Sequence, residues 1–487
     1  MGGRLIECRS ECSILLAGAA GQGIQTIEHA LTRILKACGY NVYANKEYMS
    51  RVRGGSNSTL IRVSDSGKTG YVEEVDLVLP LDEPAVGHVK PRVGAETVLI
   101  GDPKQAGEGV LDHEVSFMQM AVDAGNQLYS NMSAVGFACG LFKTDFGLVE
   151  GYIKNRFQAK GGEVVEGNML AANAGYIAAE KLLESGRAVV ELRKHDSVKN
   201  DLLLNGAQAT GLGALAGGCD FISAYPMTPS TGVFTFLTQN SEKMGVISEQ
   251  AEDEISAINM ALGAWYAGGR ALATTSGGGF ALMAEGVSLA GMTETPLVLN
   301  VSMRPGPATG LPTRTGQEDL LFTLFAGHGE FPRKIFAPGN LKQAYELTRT
   351  AFIQADKYQM PVFILTDQAL MDTLANIKDL PEPKELKQYI IESKKSYERY
   401  SLTQGPVSPR SVPGFGEGLV CADSDEHDES GHITEDMGVR NRMVEKRLGK
   451  QEQARKDSVK SRLAGNKDYR NLIICWGSNT DTIIEAM

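Results

Sequence analysis

Cysteine is scarce and scattered in this 487-residue chain: Cys8, Cys12, Cys38, Cys139, Cys219, Cys421 and Cys475 include no C-x₂-C pair and no group of four. An iron–sulfur cluster needs several converging thiolates, so none is expected here, and the close pair Cys8/Cys12 reads as ordinary structural thiol. Apolar runs long enough to cross a bilayer are missing, and the start of the chain, charged at Arg4, Glu7, Arg9 and Glu11, holds no signal-peptide stretch. A cytoplasmic protein with no membrane contact is the expectation. Basic residues are outnumbered, and a net charge of −11 disfavours a nucleic-acid partner, which requires clustered cations to neutralise phosphates. Histidine is rare too. His427 and His432, in SDEHDESGHITED, lack a third ligand at fixed spacing, so a hydrogen-bonded polar loop is expected there and no metal site.

Glycine, by contrast, is plentiful at 55 residues, as the tight strand-to-helix turns of an α/β fold require. The length calls for two or three domains. Residues 1–192 form the first. A buried strand at Ser13–Ala17 enters the turn GAAGQG at 18–23 and then a helix with apolar residues at helical spacing, IQTIEHALTRILKA. Further strands are expected near 41–43, 59–63, 77–79 and 97–100, with an Ala-rich helix around 168–185. A charged connector at 191–201 leads into a second domain, 193–378. There FISAYP, RALATTS, PLVLNVS, KIFAPG and PVFILTD alternate with helical patterns, which argues for a parallel sheet covered on both faces. Residues 379–468 read as a long polar loop followed by a solvated, charged helix, a linker. Residues 469–487 read as a strand, NLIICWGSN, a turn and one helix. They look like the start of a third α/β domain cut short after Met487.

Four blocks carry chemistry. The turn at 18–23 is spaced G-x-x-G-x-G rather than G-x-G-x-x-G, and no acid follows the next strand to hold a ribose. Three readings stay open for it: a tight structural turn, a site at Gly21 and Gly23 for the phosphate of a CoA-like ligand, and NAD. RVRGGSNST at 51–59 adds Arg51 and Arg53, which suit phosphates, a partner subunit or a plain charged hairpin edge. AYPMTPST at 224–231 brackets Thr228 between two prolines at the end of a strand, presenting its hydroxyl at the ligand edge of the sheet, with Ser230 or Thr231 free to cap the next helix. In the third block Glu254 opens a helix whose Gly263 and Gly268 permit close packing; Glu252 and Asp253 stand beside it, and all three acids suit a helix start. In the fourth, a buried strand delivers Arg304 to a Pro/Gly-rich loop, RPGPATGLPT, where a guanidinium can hold a carboxylate with two bonds.

In this order the blocks resemble the 2-oxoacid:ferredoxin oxidoreductase family, and the resemblance covers nearly the whole chain. AYPMTPST and RPGPATGLPT are its specific parts; Ala19-Ala20 stands where the family often has two glycines, and Met227 where Ile is commoner. The resemblance implies a gamma-type α/β domain followed by a pyrimidine-binding alpha domain, as in the fused alpha subunits of 2-oxoglutarate enzymes. It implies oxidative decarboxylation of a 2-oxoacid, best 2-oxoglutarate, with CoA as cosubstrate and ferredoxin as electron acceptor. Glu254 would hydrogen-bond the pyrimidine ring of thiamine diphosphate, near Tyr225 and Pro226, and Thr228 and Arg304 would hold the substrate carboxylate. Gly21, Gly23 and Arg53 would touch CoA or a partner. No GDG motif with a downstream Asn is present. Mg²⁺ and a [4Fe–4S] cluster are therefore expected on a beta subunit, in an (alpha-beta)₂ assembly. A nicotinamide dehydrogenase and a non-catalytic scaffold subunit are the two rival functions. The retained Thr228, Glu254 and Arg304 argue against the scaffold.

Overall fold

The protein was analysed as a computed structural model that describes residues 3–49, 55–107, 109–383 and 385–487. Arg51 and Arg53 lie outside the described residues. Contacts divide the chain into two compact units, Met1–Leu204 with Asp372–Asp379, and Asn205–Met371 with Leu380–Met487.

The first unit is built on a mixed sheet. Its strands run in the spatial order His113–Glu114, Val98–Gly101, Leu77–Pro80, Glu11–Ala19, Ser56–Ser64, Asn41–Glu47, Leu374–Ile377 and Leu202–Asn205. The central strand Glu11–Ala19 pairs parallel with Leu77–Pro80 and antiparallel with Ser56–Ser64. Seven successive buried residues, Cys12 to Gly18, most of them apolar, explain the central place, since only a strand covered on both faces tolerates such a run. The helix Ile24–Cys38 packs its Ile27, Leu31, Ile34 and Leu35 face into the same core. Five strands of this unit are not predicted by the sequence pattern: Ile6–Arg9, His113–Glu114, Ala188–Glu191, Leu202–Asn205 and Leu374–Ile377. Leu202–Asn205 was assigned to the next region, and Leu374–Ile377 returns to pair antiparallel with Asn41–Glu47 from far along the chain, a long-range pairing that local periodicity does not encode.

The second unit holds a fully parallel six-stranded sheet, as expected. Its spatial order is Ile247–Gln250, Phe221–Ala224, Ala271–Thr275, Leu297–Met303, Pro361–Asp367 and Lys334–Phe336. Leu297–Met303 and Pro361–Asp367 are buried at every position. Helices sit close against one another here: a Cβ on Gly213 would lie 2.4 Å from the Tyr345 carbonyl oxygen, so only glycine lets the Gly206–Ala216 helix approach Leu341–Tyr358. Polar residues inside the sheet are mutually satisfied. Asn300 Nδ2 donates to Thr274 Oγ1 (3.0 Å) and Ser302 Oγ (3.0 Å), and Thr366 Oγ1 donates to Asn300 Oδ1 (3.1 Å).

The polar stretch after residue 380 is anchored, not solvated. Asp356 is 1% exposed and accepts bonds from Arg270 (2.7 Å) and Arg410 (2.6 Å), which tie the loop to the Leu341–Tyr358 helix. The helix Met437–Lys456 buries Met443, Lys446, Arg447, Lys450 and Ala454, contrary to the solvated helix expected from its charges. Spacing explains the difference. Lys446 and Lys450 are four apart, so they share one face, and that face meets the buried Glu294, which pairs with Lys446 at 2.5 Å and with Lys450. Arg399 Nη2 donates to the Glu294 carbonyl (2.8 Å), and Glu294 itself holds a left-handed φ of 48°. His427, expected in a hydrogen-bonded loop, is buried: its Nδ1 faces the Asp425 carbonyl at 3.0 Å and its ring stacks on Tyr400 at 3.9 Å. The strand expected at NLIICWGSN is not formed. Leu472, Ile473 and Ile474 are exposed and pair with no strand edge among the described residues; only the following helix, Asn479–Ala486, is present. Among the described residues no helix is long and apolar enough to cross a membrane.

One acid facing three buried cations has a definite electrostatic consequence. The cations Lys450, Lys446 and Arg399 overcome burial and hold the Glu294 carboxyl far below its usual range. Burial in turn pulls the Lys450 ammonium down to about 7, despite the attraction of Glu294. The unfolded chain thus binds more protons than the folded one between about pH 7 and about 10.4, and stability should rise with pH across that window. Glu294→Gln strands the cations and should cost about 3–5 kcal/mol, whereas Lys450→Met removes the group that titrates and should flatten the rise. Urea unfolding followed from pH 6 to 10 checks both; a pH-independent wild type, or a Glu294→Gln protein as stable as wild type, contradicts this arrangement.

Candidate functional site

In a parallel sheet covered by helices, the loops leaving the carboxyl ends of the strands share one edge, where ligands bind. In the second unit that edge gathers three of the four sequence blocks. Phe221–Ala224 ends in Tyr225, Pro226 and Thr228, all exposed. Ile247–Gln250, its neighbour, leads into the helix Glu254–Tyr266. Ala271–Thr275, on its other side, runs through the N-cap Ser276 into the helix Gly277–Leu282, whose first turn is Gly277-Gly278-Gly279. Leu297–Met303 ends in Arg304.

The three adjacent acids separate by environment. Glu252 is exposed. Asp253 is the N-cap: its Oδ1 accepts from the Ser256 amide at 2.6 Å, and the reciprocal bond from the Asp253 amide to Ser256 Oγ completes a capping box. Glu254 is 3% exposed, and its Oε1 is shut off from solvent with no hydrogen-bond partner among the described residues. An unpaired buried carboxylate oxygen is costly, and this sets Glu254 apart from the two acids before it. The turn it abuts is shaped to admit it: a Cβ on Gly279 would fall 2.6 Å from Glu254 Oε1.

Thr228 and Arg304 meet directly. Arg304 Nη1 donates to the Thr228 carbonyl oxygen at 2.8 Å, which fixes the guanidinium over the end of the sheet. Burial lowers the Arg304 pKa, and Asp319 opposes that shift. The Pro/Gly-rich loop between Arg304 and Asp319 folds back on its own stem: Leu311 donates its amide to the Pro305 carbonyl (3.0 Å), and Gly306 to Glu318 Oε2 (2.9 Å). The far end of the loop is tied to the sheet through Gln317 Nε2, which donates to Asp367 Oδ2 at 3.0 Å; Ser478 Oγ donates to the same oxygen at 2.6 Å.

Two local expectations fail. Ser230 does not cap the helix Thr231–Gln239; its hydroxyl donates instead to the Met227 carbonyl at 2.7 Å, tightening the Thr228 turn. Gly263 makes no close approach, because a Cβ there would meet nothing within 4 Å; Gly268, just beyond the helix with a left-handed φ of 100°, does pack closely, since a Cβ would lie 3.3 Å from Val412. Sequence reasoning missed Gly277, Gly279, Asp319 and Asp367. SGGG directly after a strand was a readable signal for the first two; nothing local marks the two acids.

In the first unit, Gly21 (φ 94°) and Gly23 (φ 90°) form a tight left-handed turn before the helix Ile24–Cys38. Space around Gly21 is open, whereas a Cβ on Gly23 would strike Asn131. The Ala19 amide is already taken, by Asp82 Oδ2 at 2.8 Å. Among the described residues, Cys8, Cys12 and Asp76 bring ligand atoms within 4.8 Å of one another. Asp76 there accepts from both the amide and the hydroxyl of Ser13.

Similarity to characterised proteins runs along both units. Residues 212–446 match the pyruvate flavodoxin/ferredoxin oxidoreductase thiamine diP-binding family, and residues 13–178 match the pyruvate ferredoxin/flavodoxin oxidoreductase family. The 2-oxoacid:ferredoxin oxidoreductase alpha subunit of a Sulfolobus species is 30% identical over 98% of this chain and 84% of its own length. The 2-oxoglutarate synthase subunit KorA of Methanocaldococcus jannaschii is 33% identical over 58% of this chain and 77% of its own. Among solved structures, the 2-oxoglutarate:ferredoxin oxidoreductase of Magnetococcus marinus, with 2-oxoglutarate, coenzyme A and succinyl-CoA bound, superposes with a TM-score of 0.89. It is 29% identical, and the match covers 99% of this chain and 85% of that one.

Proposed function

The chain belongs to the 2-oxoacid:ferredoxin oxidoreductase family, and from that premise we propose that it is the alpha subunit of an enzyme that oxidatively decarboxylates 2-oxoglutarate. CoA takes the acyl group and ferredoxin the electrons. The observation that carries the reading is the buried, unpartnered Glu254 Oε1 at the same sheet edge as the linked pair Arg304 and Thr228.

The residues fit thiamine diphosphate. Glu254 Oε1, buried and without a partner among the described residues, would share a proton with the pyrimidine ring, and the glycines at 277–279 leave room that a side chain would fill. Tyr225 and Pro226, exposed at the end of their strand, would flank the ring. When bound, the cofactor supplies the electron sink for loss of CO₂. Arg304 would do the orienting: one nitrogen is held by the Thr228 carbonyl, and the rest of its fork would bind a substrate carboxylate, with the Thr228 hydroxyl as a second donor.

Other parts of the reaction require a second chain. The sequence has no GDG motif and no clustered cysteines, so Mg²⁺, the diphosphate and the [4Fe–4S] cluster are assigned to a beta subunit, in an (alpha-beta)₂ complex. The turn at Gly21 and Gly23, open at Gly21, is the proposed contact for CoA or the partner, together with Arg53. The four-part division at 192, 378 and 468 is proposed for the family's gamma, alpha, linker and third-domain segments.

The test is to copurify the partner and assay the complex with several 2-oxoacids, CoA and a viologen acceptor. The chain alone should be inactive and free of iron, and stoichiometric iron in it would overturn the assignment of the cluster. In the complex, Arg304→Ala leaves a desolvated substrate anion unpaired, a cost of about 3–5 kcal/mol. That is roughly two to four decades in kcat/KM. Arg304→Lys should recover part of the loss, because an ammonium lacks the planar fork. A mutant within about threefold of wild type would mean that the carboxylate is held elsewhere.

A further inference from the structure

Glu254 is not the only acid at this edge with an unpartnered oxygen. Asp319 Oδ2 is also shut off from solvent, with no hydrogen-bond partner among the described residues. Its position, directly before the helix Leu320–Phe325, is one where Asp commonly caps, yet its side chain accepts no bond from that helix. Capping therefore does not explain it. Nor does a contact ion pair: Arg304 feels its charge, but the two form no ion pair among the described residues. The carboxylate is pinned instead against the backbone of the Gly turn. A Cβ on Gly277 would lie 2.3 Å from Oδ2 and 2.5 Å from Oδ1, so the group packs where only glycine leaves room. The same turn, two residues on, receives Glu254.

A carboxylate held this way puts negative charge beside an arginine without neutralising it through contact. Burial, and after it the neighbouring Glu318, raise the Asp319 pKa, and Arg304 opposes them. We propose that Asp319 is a positioning residue that tempers the Arg304 clamp: its fixed negative charge opposes the substrate carboxylate that Arg304 attracts. A clamp that holds the anion equally well before and during reaction raises affinity without raising rate. Like charge in a desolvated site weakens the ground state, and that penalty is relieved as the carboxylate departs as neutral CO₂. The inference rests on reading Arg304 as the holder of the carboxylate that is lost.

The experiment uses the assembled complex with 2-oxoglutarate and CoA, comparing wild type with Asp319→Asn, which keeps shape and removes charge. KM and kcat should both fall, each by about 3–10-fold, the signature of lost ground-state strain. Calorimetric titration of 2-oxoglutarate into complex stripped of thiamine diphosphate, where turnover is blocked, should show tightening by the same factor. A merely structural role predicts the opposite sign, a higher KM with a lower kcat; that result, or no change in either constant, overturns the proposal. If Asp319→Asn does not assemble, Asp319→Ser carries the same prediction. Arg304→Ala separates the two levels. If it leaves kcat/KM intact, the clamp reading itself fails; if it is crippled while Asp319→Asn raises KM, only the tempering role fails.

Discussion

The register of the parallel sheet in the second unit is the constraint on which the rest depends. Neighbouring strands lie about 4.8 Å apart. Placing Phe221–Ala224 between Ile247–Gln250 and Ala271–Thr275, with Leu297–Met303 next, sets four strand ends side by side. Residues as distant in sequence as Thr228 and Arg304 then come within hydrogen-bonding reach. Right-handed crossovers require each return through a helix, and this is why Glu254 arrives at the edge as the first residue of one. The fully buried strands at the centre, and the satisfied Asn300, Thr274, Ser302 and Thr366 network between them, make that edge rigid. Rigidity has a purpose here, because groups that must meet a reacting centre tolerate little displacement.

Two pairs of acids in this unit contrast, and the contrast separates structure from chemistry. Glu294 and Asp356 are surrounded by cations that the chain supplies itself, and they anchor the polar segment and the Met437–Lys456 helix. Glu254 and Asp319 each have an oxygen with no partner among the described residues, and both sit against one Gly-rich turn at the ligand edge. A fold does not keep unpaired buried carboxylate oxygens for stability. Both lie where the family's cofactor and substrate are proposed to bind.

Much of this was legible in the sequence, for identifiable reasons. Alternating strand and helix patterns gave the parallel sheet, because buried parallel strands are written as continuous runs such as PLVLNVS and PVFILTD. Thr228 and Arg304 stood out because proline and glycine punctuate the ends of their strands. Glu254 was selected among three acids by its spacing, while its burial, and the exposure of Glu252, had to come from the structure. What stayed hidden depended on tertiary pairing. The Leu374–Ile377 strand joins a sheet formed mostly from the first 205 residues. The Met437–Lys456 helix looked solvated because its charges meet Glu294, about 150 residues away in sequence. The NLIICWGSN stretch has strand composition but no neighbouring edge to pair with among the described residues.

The central claim is that Glu254, and not the acids beside it, activates the cofactor. Hydrogen–deuterium exchange at the thiazolium carbon, measured in the assembled complex without substrate, isolates that step from substrate binding and electron transfer. Glu254→Gln should slow exchange by roughly two decades or more, as for loss of a general acid–base group, with assembly intact. Glu252→Gln, at an exposed position, should leave exchange unchanged, and Asp253→Asn should weaken only the helix cap. Exchange that survives in Glu254→Gln, or is lost in Glu252→Gln, would contradict the assignment of the catalytic acid.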